Sequence, residues 1–160
     1  MQTGRGPSFS TLISSQLNSL TTSAKMTKGM IVKNMSIKVG KTLTVVGVPK
    51  PDATHFEVNV GPNEGEIALH MNPRFNALGD ENTVVYNSYQ GDTWGEEFRE
   101  GGFPFKQGKE FEIKIEVTPE EFLVTLPDGS KIQFPNRMGM EKYSFMSFKG
   151  DVHIISVEVK

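Results

Sequence analysis

From Glu110 to Val117 the chain reads Glu-Phe-Glu-Ile-Lys-Ile-Glu-Val, with polar and apolar residues alternating without a break. A period of two marks a strand with one buried face, so Phe111, Ile113, Ile115 and Val117 are expected to face a core. Phe122, Val124 and Leu126 repeat the pattern, Pro127-Asp128-Gly129-Ser130 supplies a turn, and Ile132 and Phe134 resume it. That sequence predicts a β-hairpin. Residues 143–148 and 152–159 read as two later strands, and residues 42–48 and 55–60 as two early ones. Many short antiparallel strands, each with one wet face, predict two packed sheets and therefore an all-β sandwich. No internal repeat is visible.

The strand pattern begins at Met30. Residues 1–28 are rich in Ser, Thr, Gly and Asn and read as a flexible extension, leaving residues 29–160 as one domain. Within the extension, Met26 offers an alternative start. Leu12, Ile13, Leu17 and Leu20 could make one or two turns of amphipathic helix on a partner, against which stands the simpler reading of a disordered tail. The absence of acids there gives a weak likeness to a mitochondrial transit peptide, but Arg5 and Lys25 are the only charges before Lys28.

A length of 160 residues suits a single domain with a proper core, and 16 Gly, 9 Pro and 11 Phe favour strands and tight turns over a helical bundle. The formal net charge of −2 argues against a general nucleic-acid binder. Charge is uneven, since every acidic residue lies at or beyond Asp52 while Arg5, Lys25, Lys28, Lys33, Lys38, Lys41 and Lys50 precede it. A solvated basic end explains this more simply than a membrane or RNA arm. There is no cysteine, so disulfides and thiolate metal sites are excluded. His55, His70 and His153 lack ligand-like spacing, and no metal or other cofactor is expected. No apolar run approaches the ~20 residues of a membrane span, and the amino end lacks the apolar stretch of a secretory signal, so no membrane insertion and synthesis in the cytosol are expected. Asn34-Met35-Ser36 is a formal glycosylation acceptor, unused in a chain that bypasses the secretory pathway.

The candidate chemistry is concentrated in three runs, His70-Met71-Asn72-Pro73-Arg74, then Val85-Tyr86-Asn87, then Trp94-Gly95-Glu96-Glu97-Phe98-Arg99. If these are adjacent strands, His70, Asn72 and Arg74 share one face, Met71, Pro73 and Phe75 take the other, and Glu97 shares a face with Arg99. A histidine, amides, guanidinium groups and a carboxylate beside the only tryptophan suit a ligand dense in hydroxyls yet apolar on one side. A pyranose is such a ligand. Trp94 sits between Asp92 and Gly95 in a loop-like setting that favours exposure over a core role. Pro73, without a backbone donor, fits an edge or irregular strand position.

These runs resemble the galectin signature, H-x-N-P-R followed by V-x-N and W-x-x-E-x-R, with matching order and intervals, and the resemblance extends over residues 29–160. It implies a jelly-roll β-sandwich that binds β-galactosides on glycoproteins and glycolipids without catalysis. By that resemblance Trp94 stacks on the apolar face of galactose, His70, Asn72 and Arg74 grip the axial 4-hydroxyl and ring oxygen, Asn87 and Glu97 hold the 6-hydroxyl, and Val85 lines the floor. Glu97 is expected between the charges of Arg74 and Arg99, each orienting the other. Many galectins carry a second histidine where this chain has Leu78, so Leu78 is expected to modulate specificity for groups beyond the galactose. The resemblance also implies cytoplasmic and extracellular pools, reached without a signal peptide, and a homodimer formed by terminal strands. Residues 30–39 and 153–159 are the expected edges, the latter through an apolar set of Ile155, Val157 and Val159 plus Ile154.

Two other functions compete. Glu110, Glu112 and Glu116 share a strand face and could serve a jelly-roll glycoside hydrolase, which needs two carboxylates about 5 to 9.5 Å apart across a sugar. Lys114 interrupts that row and no aromatic residue nearby stacks a substrate, so a solvated face is the better reading. An intracellular protein-interaction module is the other alternative, and the sequence names no partner for it.

Overall fold

The computed structural model describes residues 29–160, and the expectations for residues 1–28 lie outside them. Eleven strands follow in chain order: β1 (Gly29–Lys38), β2 (Thr42–Pro49), β3 (Phe56–Gly61), β4 (Ile67–Ala77), β5 (Asp80–Gln90), β6 (Thr93–Trp94), β7 (Phe111–Val117), β8 (Glu121–Thr125), β9 (Lys131–Pro135), β10 (Lys142–Gly150) and β11 (Val152–Val159). They form a six-stranded sheet in the order β1-β10-β3-β4-β5-β6 and a five-stranded sheet in the order β11-β2-β7-β8-β9, with every pairing antiparallel.

The alternation in β7 does what its period requires, burying Phe111, Ile113, Ile115 and Val117 against the opposite sheet. Phe122, Val124 and Phe134 do the same from β8 and β9, and the hairpin between them turns at residues 126–130. The six-stranded sheet answers with Val58, Val60, Leu69, Met71, Val84, Tyr86, Met146 and Phe148. Aromatic rings join the layers: Phe56 stacks on Phe111 at 5.2 Å between centroids, and Tyr86 meets Phe134 at 6.3 Å. One core group stands out, since the buried Tyr86 hydroxyl has no hydrogen-bond partner among the described residues and burial pushes its pKa up.

The last strand departs from the expected alternation. A register shift between Ile154 and Ser156 inserts an extra residue, so Ile154 and Val157 turn inward while Ile155 is turned out. The expected face of Ile155, Val157 and Val159 is therefore split. β1 and β11 are outermost in their respective sheets and touch each other, which places both terminal strands at one end of the sandwich.

The glutamate row lies on the five-stranded sheet, where Glu110 and Glu112 are exposed and Glu116 is partly covered. The His-Asn-Arg run lies on the other sheet. Its strand, β4, is buried on both faces, and a buried face carrying His70, Asn72 and Arg74 is the feature that positions the site.

Candidate functional site

Pro73 lies in a central strand, flanked by β3 and β5, where a missing N–H would leave a β3 carbonyl unpaired. The side chain of Asn72 repairs the gap by donating from Nδ2 to the Phe56 carbonyl at 2.7 Å. That bond leaves Asn72 Oδ1 to accept from Arg74 Nε at 2.9 Å, so one amide both closes the ladder and orients the guanidinium. The sequence N-P-R therefore specifies an irregular strand that holds its own arginine.

The register of the next hairpin supplies the other half of that grip. β4 and β5 pair Ala77 with Asp80 across the two-residue turn Leu78-Gly79, whose φ values of 52° and 87° are both left-handed. Asp80 thereby reaches Arg74 Nη1 at 2.6 Å and Arg99 Nη2 at 3.1 Å. Hydrogen bonds from Arg99 and Arg74 hold its carboxyl below the usual carboxylate range. Asp80, not Glu97, stands between the two guanidinium groups. Glu97 pairs with Arg99 alone, at 2.8 Å, which corrects the expectation that Glu97 and Arg74 orient each other.

The third run is only briefly a strand. After Thr93–Trp94 the backbone leaves the ladder, returning at Phe98, whose N–H and carbonyl both pair with Tyr86. Arg137, beyond β9, fastens this segment by donating to Glu96 O at 2.9 Å, Ser88 Oγ at 3.0 Å and Asn87 Oδ1 at 3.1 Å. Gly95 leaves room for it, because a Cβ there would sit 2.7 Å from Arg137 Nη1. Asn87 in turn donates to Gly95 O at 3.0 Å. The tryptophan run is thus held to β5 by a residue some forty positions later, a relation that no spacing announces.

Between these elements lies a cleft of about 470 Å³. Its lining includes His70, Asn72, Arg74, Val85, Asn87, Trp94, Glu97 and Leu78, together with Glu57 and Gly95, which the sequence did not single out. Arg99 stays outside the lining and acts on it through Asp80 and Glu97. Val85 faces the cleft while its neighbours Val84 and Tyr86 belong to the core, as alternation demands. Trp94 is 48% exposed, its ring 4.8 Å from His70 and 5.0 Å from Tyr89 between centroids. Arg74 Nη2 has no partner among the described residues, so one edge of a largely buried guanidinium stands open to the cleft. His70 is neutral at ordinary pH, its pKa lowered to about 4 by burial against the opposing pull of Glu57.

A rigid polar cradle beside one half-exposed indole, on one face of a two-sheet sandwich, is the construction of a carbohydrate-binding module. The family model for galactoside-binding lectins matches residues 28–159. A β-galactoside-binding lectin from Electrophorus electricus is 52% identical over 132 residues, covering 82% of this chain and 98% of that protein. Galectin-1 from Capra hircus is 43% identical over 129 residues, 81% of this chain and 96% of its own. Among solved structures, the Dario rerio galectin-1-L2 superposes with a TM-score of 0.80 at 61% identity, covering 81% of this chain and 98% of that one. The chain belongs to the galactoside-binding lectin family, the galectins. It is accordingly a jelly-roll lectin for β-galactosides and not an enzyme, which sets aside the reading of Glu110, Glu112 and Glu116 as catalytic.

Leu78 carries the first prediction. It is 77% exposed at the rim of the cleft and occupies a left-handed position that disfavours a side chain such as leucine by about 1 kcal/mol. Leu78→Asn, giving the Asn-Gly pair such turns prefer, should raise unfolding stability by roughly that amount in urea titration. Leu78→His should leave lactose affinity within a few-fold and reorder the ranking of longer galactosides on a glycan panel. Parallel losses across all galactosides would show that Leu78 only packs the turn.

Proposed function

We propose that the cleft is the galactose site and that its residues divide the sugar between them. Trp94 stacks on the C–H face that galactose's axial 4-hydroxyl leaves unobstructed. His70, Asn72 and Arg74 bind that hydroxyl and the ring oxygen, Asn87 and Glu97 hold the 6-hydroxyl, and Val85 forms the floor. Arg99 and Asp80 keep the charged members in place. The observation that carries this reading is the unspent Arg74 Nη2, fixed by Asn72 and Asp80 before any ligand arrives. Preorganisation of that kind lowers the ordering cost of binding. Congerin II, solved with lactose and MES bound, is 34% identical to this chain with a TM-score of 0.79, covering 82% of this chain and 99% of that one. Retention on immobilised lactose with elution by free lactose tests the reading, and passage straight through the column overturns it.

A pH profile gives a second check. The sugar needs an unprotonated His70 nitrogen, and protonation sets in only near pH 4. Lactose affinity should therefore be flat from pH 8 to about 5 and collapse toward pH 4. For folding, the unfolded histidine with its ordinary pKa of about 6.5 takes a proton that the native one refuses, so this group's contribution to stability erodes as pH falls from about 6.5 to 4. Loss of binding centred near pH 6.5 by calorimetry would contradict it.

The same reading extends to assembly and location. Among the described residues β1 and β11 are the outermost strands at one end of the sandwich, with Ile31 and Ile155 exposed, which suits a homodimer through terminal strands. A chicken liver agglutinin described as homodimeric shares 40% identity and a TM-score of 0.79. Two sites per dimer would crosslink glycoproteins and glycolipids, with avidity gains of ~10² to 10⁴ where geometry allows. Sedimentation as a monomer at micromolar concentration would refute the dimer. Galactosides are displayed mainly outside cells, and a chain without cysteine is indifferent to redox compartment, which supports cytoplasmic and extracellular pools. Absence from the medium of living cells that express it would count against the extracellular pool.

A further inference from the structure

We infer that Asn59 is a positioning residue that fixes His70 as its Nδ1–H tautomer, so that Nε2 meets the sugar as a hydrogen-bond acceptor; this rests on the galactose-site reading above. Asn59 on β3 lies opposite His70 on one side and Ser147 of β10 on the other. Its Oδ1 is 2.6 Å from His70 Nδ1, and a carbonyl oxygen can only accept, so Nδ1 carries the proton. The amide orientation is itself decided, because Nδ2 donates to Ser147 Oγ at 3.2 Å and to Glu57 Oε1 at 3.3 Å. Flipping the amide would turn Oδ1 toward the Glu57 carboxylate and oppose two acceptors in a site from which water is nearly excluded, since Asn59 is 2% exposed.

The consequence reaches the ligand through bond polarity. A hydroxyl that donates to Nε2 has its lone pairs free for the Arg74 guanidinium and the Asn72 region, and an axial hydroxyl can satisfy both at once. In the other tautomer Nε2 is a donor facing a donor, and one of them is left unpaired. Neutral histidine in water favours the Nε2–H form, so the choice has to be imposed by the protein, and the Glu57-Asn59-Ser147 chain imposes it. Four charged groups act on the ring: Glu57 on β3, Arg74 on β4, Lys149 on β10 and Glu97 from the segment after β6.

Nitrogen-15 spectra of the His70 ring in the sugar-free protein at pH 7 test the tautomer directly, with Nδ1 protonated as the expected result. Asn59→Ala should move the ring toward Nε2–H and weaken lactose binding about tenfold, the value of one lost bond in a dry site. Asn59→Asp keeps the acceptor and adds a negative charge. It should retain the Nδ1 proton, raise the titration of His70 above that of the wild type, and make lactose binding fall at a higher pH than in the wild type. A wild-type ring protonated on Nε2, or an Asn59→Ala protein with unchanged tautomer and affinity within twofold, overturns the inference. The wild-type spectrum stands even where a variant fails to fold. Failure of the wild type to bind lactose would instead overturn the galactose-site reading and leave the tautomer measurement intact.

Discussion

Trp94→Ala is expected to abolish retention on immobilised lactose while leaving the fold unchanged. The indole is half exposed, and β6 contributes only two residues to the sheet edge, so its removal takes little from the core. Stacking a pyranose on the ring removes about 60 to 80 Å² of apolar surface from water, which contributes roughly 1.5 to 2 kcal/mol. A lectin site of millimolar affinity has only about 4 kcal/mol in all. Losing that share lowers affinity by about 10- to 30-fold, below what a column detects. Unchanged lactose affinity in titration calorimetry would remove Trp94 from its role as platform.

The second large effect is expected at Asp80, which touches no sugar in the assignment above. Arg74 is buried, and its Nη1 is held by Asp80 at 2.6 Å, so Asp80→Ala leaves a desolvated guanidinium without its partner. Lactose affinity should fall about tenfold or more, since truncating one member of a hydrogen-bonded charge pair usually costs at least that much. A double-mutant cycle sharpens the test. Arg74 and Asp80 should be strongly coupled, with the double variant costing little more than either single one, whereas Arg74 and Glu97 should be close to additive in the stability of the free protein. Strong coupling of Arg74 to Glu97 with none to Asp80 would reverse the assignment.

Those two residues also show where reading a sequence stops. Trp94 was legible because its loop-like surroundings are local. Asp80 was not, because an acid six positions after Arg74 is one of many until a two-residue turn fixes the hairpin register and puts Ala77 opposite Asp80. Glu97 was the natural candidate by spacing, yet the backbone leaves the sheet after Trp94 and carries its carboxylate to Arg99 instead.

Alternation of polar and apolar residues by itself determined that this is a β-sandwich, because burial on one face forces a period of two and the turns are spelled out in Pro, Asp and Gly. The types of side chain that line the cleft were likewise fixed along the chain, since β4 and β5 follow each other and need only a tight turn to pair. Only the tertiary structure decided how those side chains are held. Arg137 clamps the tryptophan segment from beyond β9, Ser147 and Glu57 set the amide of Asn59, and a bulge in β11 turns Ile155 outward where strict alternation would have buried it. The reason is physical: a strand's period depends on its own residues, whereas the partner of a buried polar group depends on which distant strand the sheet order brings alongside.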